Sequence, residues 1–499
     1  MVMQTIQIRL TKELIERISV LVGKGIYSSI SEAVRDSVRR LVTGVDVPIT
    51  TKEVELIKEG VRKELKRAFK RATGTIDFFP EDMAIRNKIF NKLRETAAKY
   101  NYKEIETPAF ETLELLTKKE GEEIKKQIFT LEKKGSEEFG LRFDITVPAT
   151  RMFIEKQKTL PKPVKWFYIT RMWRYERPQK GRLREFYQFG VECFGSSKPE
   201  SDAEVISLLI DSLLSLGLTK EDFFVKINNR KLLVGLLKDI TKEEDDGVVL
   251  KIVTVIDKKN KITEKEFFDE LKKANLSEDK IVSIKRIIEE NNLAEIEKYC
   301  KNGLSRDGLN EIKSILKLLG KKKSFVKVDL STARGLAYYT GTVFEVYDSN
   351  EKYRALAGGG RYDKLVELFN GEPTPATGFG LGYATLLLLL KEKALIPEIN
   401  LSPDYYIAIV NKEVKDEALD IASRLRKDYT VEIDLMGRNL GNQFKYANSI
   451  KARRVIIVGP DELSESKVKI KDMVTGQETL VELKELFKSP ENNPIKNHK

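Results

Sequence analysis

The sequence predicts an α+β body with a short N-terminal unit ahead of it and a small α/β domain behind it, and three observations predict this. Between residues 73 and 395, aromatic and β-branched runs such as WFYITRMW and FYQFGVECFG alternate with glycine turns and amphipathic helical stretches. Within that body, residues from about 230 to 322 are lysine-rich and almost wholly helical in pattern, which reads as an insertion. From 402 to 488 the runs DYYIAIV, TVEIDLM and RRVIIVG are buried-type strands separated by EALDIASRLR and LGNQFKYANSI, the pattern of a mostly parallel sheet with helices. At 499 residues the chain is too long for one hydrophobic core.

The N-terminal unit, residues 1–45, opens with MQTIQIRL, where Ile6, Ile8 and Leu10 share one face of a strand and Thr5, Gln7 and Arg9 the other. A helix is expected from Lys12 until Gly23 and Gly25 stop it, and a second after Ser31 as N-cap, with Val34, Val38, Leu41 and Val42 on its apolar face. This order, together with YSSISEAVRDSVRRLV, resembles the ribbon-helix-helix family of small dimeric DNA-binding proteins. The resemblance implies that Thr5, Gln7 and Arg9 read duplex DNA; the other reading of the segment is that it adds dimer contacts alone. Residues 46–72 carry Pro48 and then a charged helical stretch that reads as a linker helix, and residues 489–499 read as a flexible tail.

Composition narrows the chemistry. Lys and Arg number 89 against 77 Asp and Glu, a formal charge of +12, which favours an anionic partner such as nucleic acid. The single histidine, His498, stands in the polar tail, so a mechanism needing imidazole as base or metal ligand is excluded and the work falls to arginine, carboxylates, amides and hydroxyls. Two cysteines, Cys193 and Cys300, are too few for a disulfide framework or a four-ligand metal site, and no metal site is expected. No apolar run approaches the roughly 20 residues of a membrane span, and the first residues carry no secretory pattern, so a cytoplasmic location is expected.

Two stretches concentrate the chemistry. WRYERPQKGRLREFYQ, 173–188, packs five basic residues and two carboxylates between apolar strands, a hairpin suited to a polyanion because guanidinium groups grip phosphate oxygens in pairs. ARGLAYYTGTVFEVYD, 333–348, sets an arginine and paired tyrosines ahead of a strand-like run, and adjacent Tyr338 and Tyr339 are expected on opposite faces. LRFDITVPATR, 141–151, offers Asp144 and Thr146 at alternate strand positions, hence on one face, and AGGGRYD, 357–363, supplies successive glycines where backbone must approach something closely.

These motifs, with ETPAFE at 106–111 and GRNLGNQFKYANSIKARRVIIVG at 437–459, closely resemble the histidyl-tRNA synthetase family in the family's order from residue 73 to about 486. The resemblance implies a class II synthetase catalytic domain built on an antiparallel sheet, a C-terminal anticodon-binding domain, and a homodimer with Pro108 at its interface. It also implies the substrates ATP, L-histidine and histidine tRNA, with magnesium bridging the phosphates. It places Arg174 and Arg334 at the α-phosphate and the substrate carboxylate, with Gln188 beside them as catalytic residues. Asp144 and Thr146 fall at the amino group, Gln188 and Glu192 on histidine, Tyr338 and Tyr339 around the imidazole, and Glu176, Arg182 and Arg184 at the nucleotide.

The chain departs from the family in TGFGLGYATLLLLL, where Ala384 and Thr385 stand in place of an acidic residue and an arginine that meets the γ-phosphate. Losing a charge-assisted contact of that kind costs on the order of 1.5 to 3 kcal/mol, and Arg361 and Lys180 are candidates to compensate. Ile76 likewise stands where the family commonly has arginine. The departure and the N-terminal segment leave a second reading open, a catalytically impaired relative serving as a histidine- or tRNA-sensing DNA-binding regulator.

Overall fold

The computed structural model describes residues 10–23, 25–43, 70–118, 125–133, 135–259, 262–333 and 338–487. The chain divides into two compact units, Met1–Ala72 and Thr73–Lys499. In the first, helices Lys12–Gly23 and Ile30–Thr43 are joined by a turn in which Gly25 takes φ 72°. The second helix starts earlier than the Ser31 cap predicts: the Ser29 hydroxyl accepts from the Glu32 amide at 3.2 Å, and Glu32 reaches back to the Ser28 amide at 2.7 Å. That reciprocal bonding places the helix start two residues upstream of the one read from the sequence. Helix Lys12–Gly23 buries no residue, and Leu14, Ile15, Val20, Leu21, Ile26 and Val38 are all exposed. Thr5, Gln7 and Arg9, and most of the expected linker helix, lie outside the described residues.

The second unit contains fifteen strands among the described residues: β1 Lys103–Glu104, β2 Phe110–Thr112, β3 Phe139–Leu141, β4 Val164–Trp173, β5 Glu185–Phe194, β6 Phe223–Asn229, β7 Val326–Val328, β8 Thr342–Asp348, β9 Ala357–Arg361, β10 Ala376–Gly382, β11 Tyr405–Ile409, β12 Val431–Ile433, β13 Arg454–Val458, β14 Lys467–Asp472 and β15 Glu478–Glu482. Eight form one sheet in the order β1-β4-β5-β10-β9-β8-β6-β7. The five inner pairings from β4 to β6 are antiparallel, and only the outer strands β1 and β7 join in parallel.

Both faces of this sheet are covered, which is why β4 and β5 read as nearly unbroken apolar runs. Phe167, Phe189, Val191, Phe344, Phe379 and Leu381 face a core shared with helices Pro80–Lys99 and Pro199–Ser215. Tyr168, Met172, Phe194 and Val343 face the other way, against Phe153, Tyr339 and Tyr362. Helices fill residues 230–318 and join the first core through residues such as Leu232, Ile252, Ile284 and Ile312. The LLLLL run lies in helix Tyr383–Glu392 with Leu386, Leu389 and Leu390 buried.

The C-terminal sheet, β12-β11-β13-β14-β15, is mixed rather than mostly parallel: β12, β11 and β13 run parallel, while β14 and β15 add antiparallel strands. The sequence hid β14 because Lys467, Lys469 and Lys471 alternate with inward Val468 and Ile470, a half-solvated strand masked by its charge. No helix among the described residues is long and apolar enough to cross a membrane. Cys193 and Cys300 are buried free thiols.

Candidate active site

The site lies on the sheet face opposite the main helical core. Register sets its floor: on β10, Gly378 stands opposite Glu192 of β5 and Gly382 opposite Gln188, while Gly380 pairs with Gly190 and with Gly358 of β9. A Cβ on Gly378 would strike the Glu192 carboxylate, and one on Gly380 would strike the Gln188 amide. Only hydrogen at these positions lets the two side chains lie across the neighbouring strand.

Glu192 is the most enclosed polar group here, 1% exposed. The Thr146 hydroxyl donates to its Oε1 at 2.9 Å, and the Tyr362 hydroxyl donates to its Oε2 through a short bond. Tyr168 on β4 is buried behind it; burial first, then the nearby Glu192 and Asp144 carboxylates, hold its phenol pKa well above the ordinary value. Tyr338, Tyr339 and Tyr362 make an aromatic wall, with ring centroids 4.6 Å apart for the first pair and 6.0 Å for Tyr338 and Tyr362.

Two local expectations are corrected. Asp144 and Thr146 are not on a strand: β3 ends at Leu141, and Thr146 begins helix Thr146–Lys156. The Asp144 carboxylate accepts from the Val147 amide at 3.4 Å, and Pro148 sits in the first turn, where its missing N–H costs nothing. The two side chains converge through a helix start instead of a strand face. Tyr338 and Tyr339 likewise precede β8, which begins at Thr342, so strand alternation does not apply and their rings lie against each other.

The basic hairpin bounds the other end of the site. β4 and β5 pair from Val164 with Phe194 to Trp173 with Glu185, and the loop beyond closes with backbone bonds between Gln179 and Arg182 in both directions at 2.8 to 3.0 Å. Arg174 Nε donates to the Phe143 carbonyl at 3.0 Å and its guanidinium stands 5.3 Å from the Phe186 ring centre. Glu176 pairs with Arg182, and its carbonyl accepts from Arg184 Nε at 3.0 Å. Arg184 stacks 4.3 Å over the Tyr175 ring. Partial burial, then the like charges of Arg354 and Arg174, lower the Arg182 pKa.

Residues 74–386 match the histidyl-tRNA synthetase family profile, residues 404–490 an anticodon binding domain, and residues 4–43 a ribbon-helix-helix protein of the copG family. The chain is 38% identical over 431 residues to a histidine–tRNA ligase of Pyrococcus furiosus, covering 85% of this chain and 98% of that one. It is 41% identical over 437 residues to a histidine–tRNA ligase of Methanococcus aeolicus, covering 84% and 99%. The chain belongs to the histidyl-tRNA synthetase family.

Solved structures of the family agree in fold. The apo histidyl-tRNA synthetase of S. aureus matches with a TM-score of 0.64 at 29% identity, over 84% of this chain and 99% of that one. That of Nostoc matches with a TM-score of 0.69 at 24% identity, over the same shares. The eight-stranded sheet is thus the class II catalytic fold.

The structure brings Asp144, Thr146, Glu192, Tyr338 and Tyr339 together around Tyr168, with Gln188 further along β5 and Arg174, Glu176, Arg182 and Arg184 on the adjoining hairpin. Arg334 lies outside the described residues. Sequence reasoning missed Tyr362, Tyr168 and Arg142. Tyr362 follows the glycines of AGGGRYD directly, a placement that was legible. Arg142, 3% exposed, binds the Arg171 carbonyl at 3.1 Å and the Pro108 carbonyl at 2.9 Å as well as Thr107 and Thr170, and so fixes the segment before Asp144.

Arg361 does not replace the absent arginine of the family's third motif. It points to the opposite sheet face, 3% exposed, bonded to Asp202 at 2.8 and 3.0 Å, to Asp363 at 3.0 Å, and to Ser196 and Ser201. Thr385 is closed off by the hairpin: its hydroxyl donates to the Gly181 carbonyl at 3.3 Å.

Proposed function

We propose that this family member joins histidine to its tRNA in two steps. The histidine carboxylate attacks the α-phosphate of ATP and pyrophosphate leaves; a terminal ribose hydroxyl of the tRNA then attacks the adenylate carbonyl and AMP leaves. The observation that carries the reading is the enclosed Glu192 carboxylate, oriented by Thr146 and Tyr362 beside an aromatic wall. A desolvated carboxylate beside an aromatic wall suits an imidazole N–H, which can donate to an oxygen lone pair left over from the two hydroxyl bonds, whereas an apolar side chain would leave that acceptor unused. Asp144 and Thr146 take the substrate ammonium and Gln188 its polar edge. Arg174, steadied by the Phe143 carbonyl, and Arg334 stabilise charge at the α-phosphate.

Glu176, Arg182 and Arg184 serve the nucleotide. Magnesium comes with the phosphates in this reading, since no group of three or more His, Cys, Asp or Glu side chains among the described residues is arranged to hold a metal. Pro108 is exposed and takes its place in a homodimer contact. The apolar side chains left uncovered on the N-terminal helices support pairing of two such units, with Thr5, Gln7 and Arg9 presented to duplex DNA. The proposed domains are 1–45, 46–72, 73–395 and 402–488, and the proposed location is the cytoplasm.

The test is histidine-dependent exchange of pyrophosphate into ATP, followed by charging of histidine tRNA; both are expected. The neutral Thr385 and the N-terminal match favour a second reading, a sensing regulator, and histidine binding without exchange establishes that one instead. Truncation of residues 1–45 is expected to abolish duplex-DNA binding in a shift assay; unchanged binding removes the DNA role.

A further inference from the structure

We propose that Arg354, on the loop between β8 and β9, is the residue that grips the polyphosphate tail of the nucleotide. The loop is pinned on both sides of it. Asp348 accepts from the Lys352 and Tyr353 amides at 3.0 and 2.9 Å, and Lys352 Nζ reaches Glu392 of helix Tyr383–Glu392 at 2.7 Å, with the Tyr353 hydroxyl on the same carboxylate. Downstream, the Leu356 amide bonds to Val346 at 2.7 Å and the Leu356 carbonyl accepts from Gly382 at 2.9 Å. Arg354 therefore projects from a fixed point between strand and helix.

The basic hairpin rests on the same helix through Thr385 and Gly181, and Lys180 Nζ stands 5.7 Å from the Tyr353 ring. Two separate elements so bring guanidinium groups to the same helix, and Arg354 is the like charge that acts most strongly on Arg182. The acids around Arg354 are engaged with other partners: Glu176 with Arg182, Glu392 with Lys352, and Glu351 with Lys226. Arg354 is exposed and makes no hydrogen bond or ion pair among the described residues. An uncompensated guanidinium held at a fixed point beside other basic side chains calls for a ligand with several charged oxygens in a row, and the β- and γ-phosphates of ATP have that chemistry. The helix itself offers only the Thr385 hydroxyl there, already donating to Gly181.

This inference rests on the ligase reading and deepens it. The test is calorimetric binding of ATP, AMP, inorganic pyrophosphate and histidine to wild type and to Arg354→Ala, with Arg354→Lys as the conservative variant. The expected result is binding of ATP and pyrophosphate weakened tenfold or more, AMP and histidine unchanged within twofold, and partial recovery with lysine. In the exchange assay the KM for ATP rises while that for histidine stays put. Equal losses for ATP and AMP, no loss for either, a defect confined to tRNA charging, or wild type binding neither ATP nor pyrophosphate overturns it. A wild type without exchange that still shows the ATP-against-AMP difference sinks the ligase reading and keeps the role of Arg354.

Discussion

The pocket around Glu192 and the hairpin around Arg182 share strand β5 yet handle charge in opposite ways. Glu192 is enclosed, and its two oxygens are each met by a hydroxyl before any ligand arrives. Arg182 is partly open, has one carboxylate partner and crowds against Arg174 and Arg354. On the proposed reading, the first arrangement suits a small, shaped, weakly charged group by making a mismatch expensive, and the second suits a flexible polyanion by leaving positive charge in excess. That reading puts discrimination and capture at the two ends of one strand.

The largest effect that would sharpen this contrast is at Glu192. Glu192→Ala should lower kcat/KM for histidine by on the order of 10³, since two hydroxyls are left facing an empty buried space. The KM for ATP should stay within about threefold; a comparable rise there would break the division between the two ends. Steady-state exchange kinetics with each substrate varied decides it.

Arg361, one face away, provides a buried charge pair with Asp202. Arg361→Met should cost about 3 to 5 kcal/mol in denaturant unfolding, because Asp202 is left uncompensated. Burial already pushes the Asp202 carboxyl up to about 6 despite Arg361. Removing the arginine raises it further, so the deficit should shrink as pH falls through that range and the folded protein takes up the proton. A deficit that grows on acidification would contradict this sign.

Alkaline pH probes the helical core on that same face. Burial lifts the Cys193 thiol to about 11 and the Tyr383 phenol to about 12. Their folded pKa values are raised, so their contribution is intact below the ordinary thiol and phenol values and is lost as pH rises through the folded ones. Melting temperature should therefore decline from about pH 9 upward. The smallest effect is expected at Glu176→Ala, about 1 kcal/mol of stability or less, because the pair it breaks is partly solvated. A loss as large as that at Arg361 would erase the distinction drawn between the regions.

How much of this was legible in the sequence follows the same divide. The hairpin could be read because its signal is local: five basic residues between two apolar runs leave few alternatives. The helices of 230–318 and the class of the body were legible from periodicity. The pocket was legible only through resemblance, since its parts come from four separate segments joined by long-range register. Asp144 and Thr146 alternate as in a strand, but a proline two residues on and a carboxylate able to cap made a helix start instead. Tyr338 and Tyr339 were assigned opposite faces because nothing local marked where β8 begins. Arg361 looked like a free cation because its partner Asp202 lies 159 residues away.

The glycines under Gln188 and Glu192 carry a consequence for how specificity evolves. A recess whose base is bare main chain is already at its deepest, since no replacement is smaller than glycine, and every replacement intrudes on a side chain lying across it. Point mutation can only make that base shallower. On the proposed reading, drift toward a bulkier amino acid is left to the tyrosine walls, and two of the three rings there lie 4.6 Å apart, centre to centre, so a single change disturbs its neighbour as well.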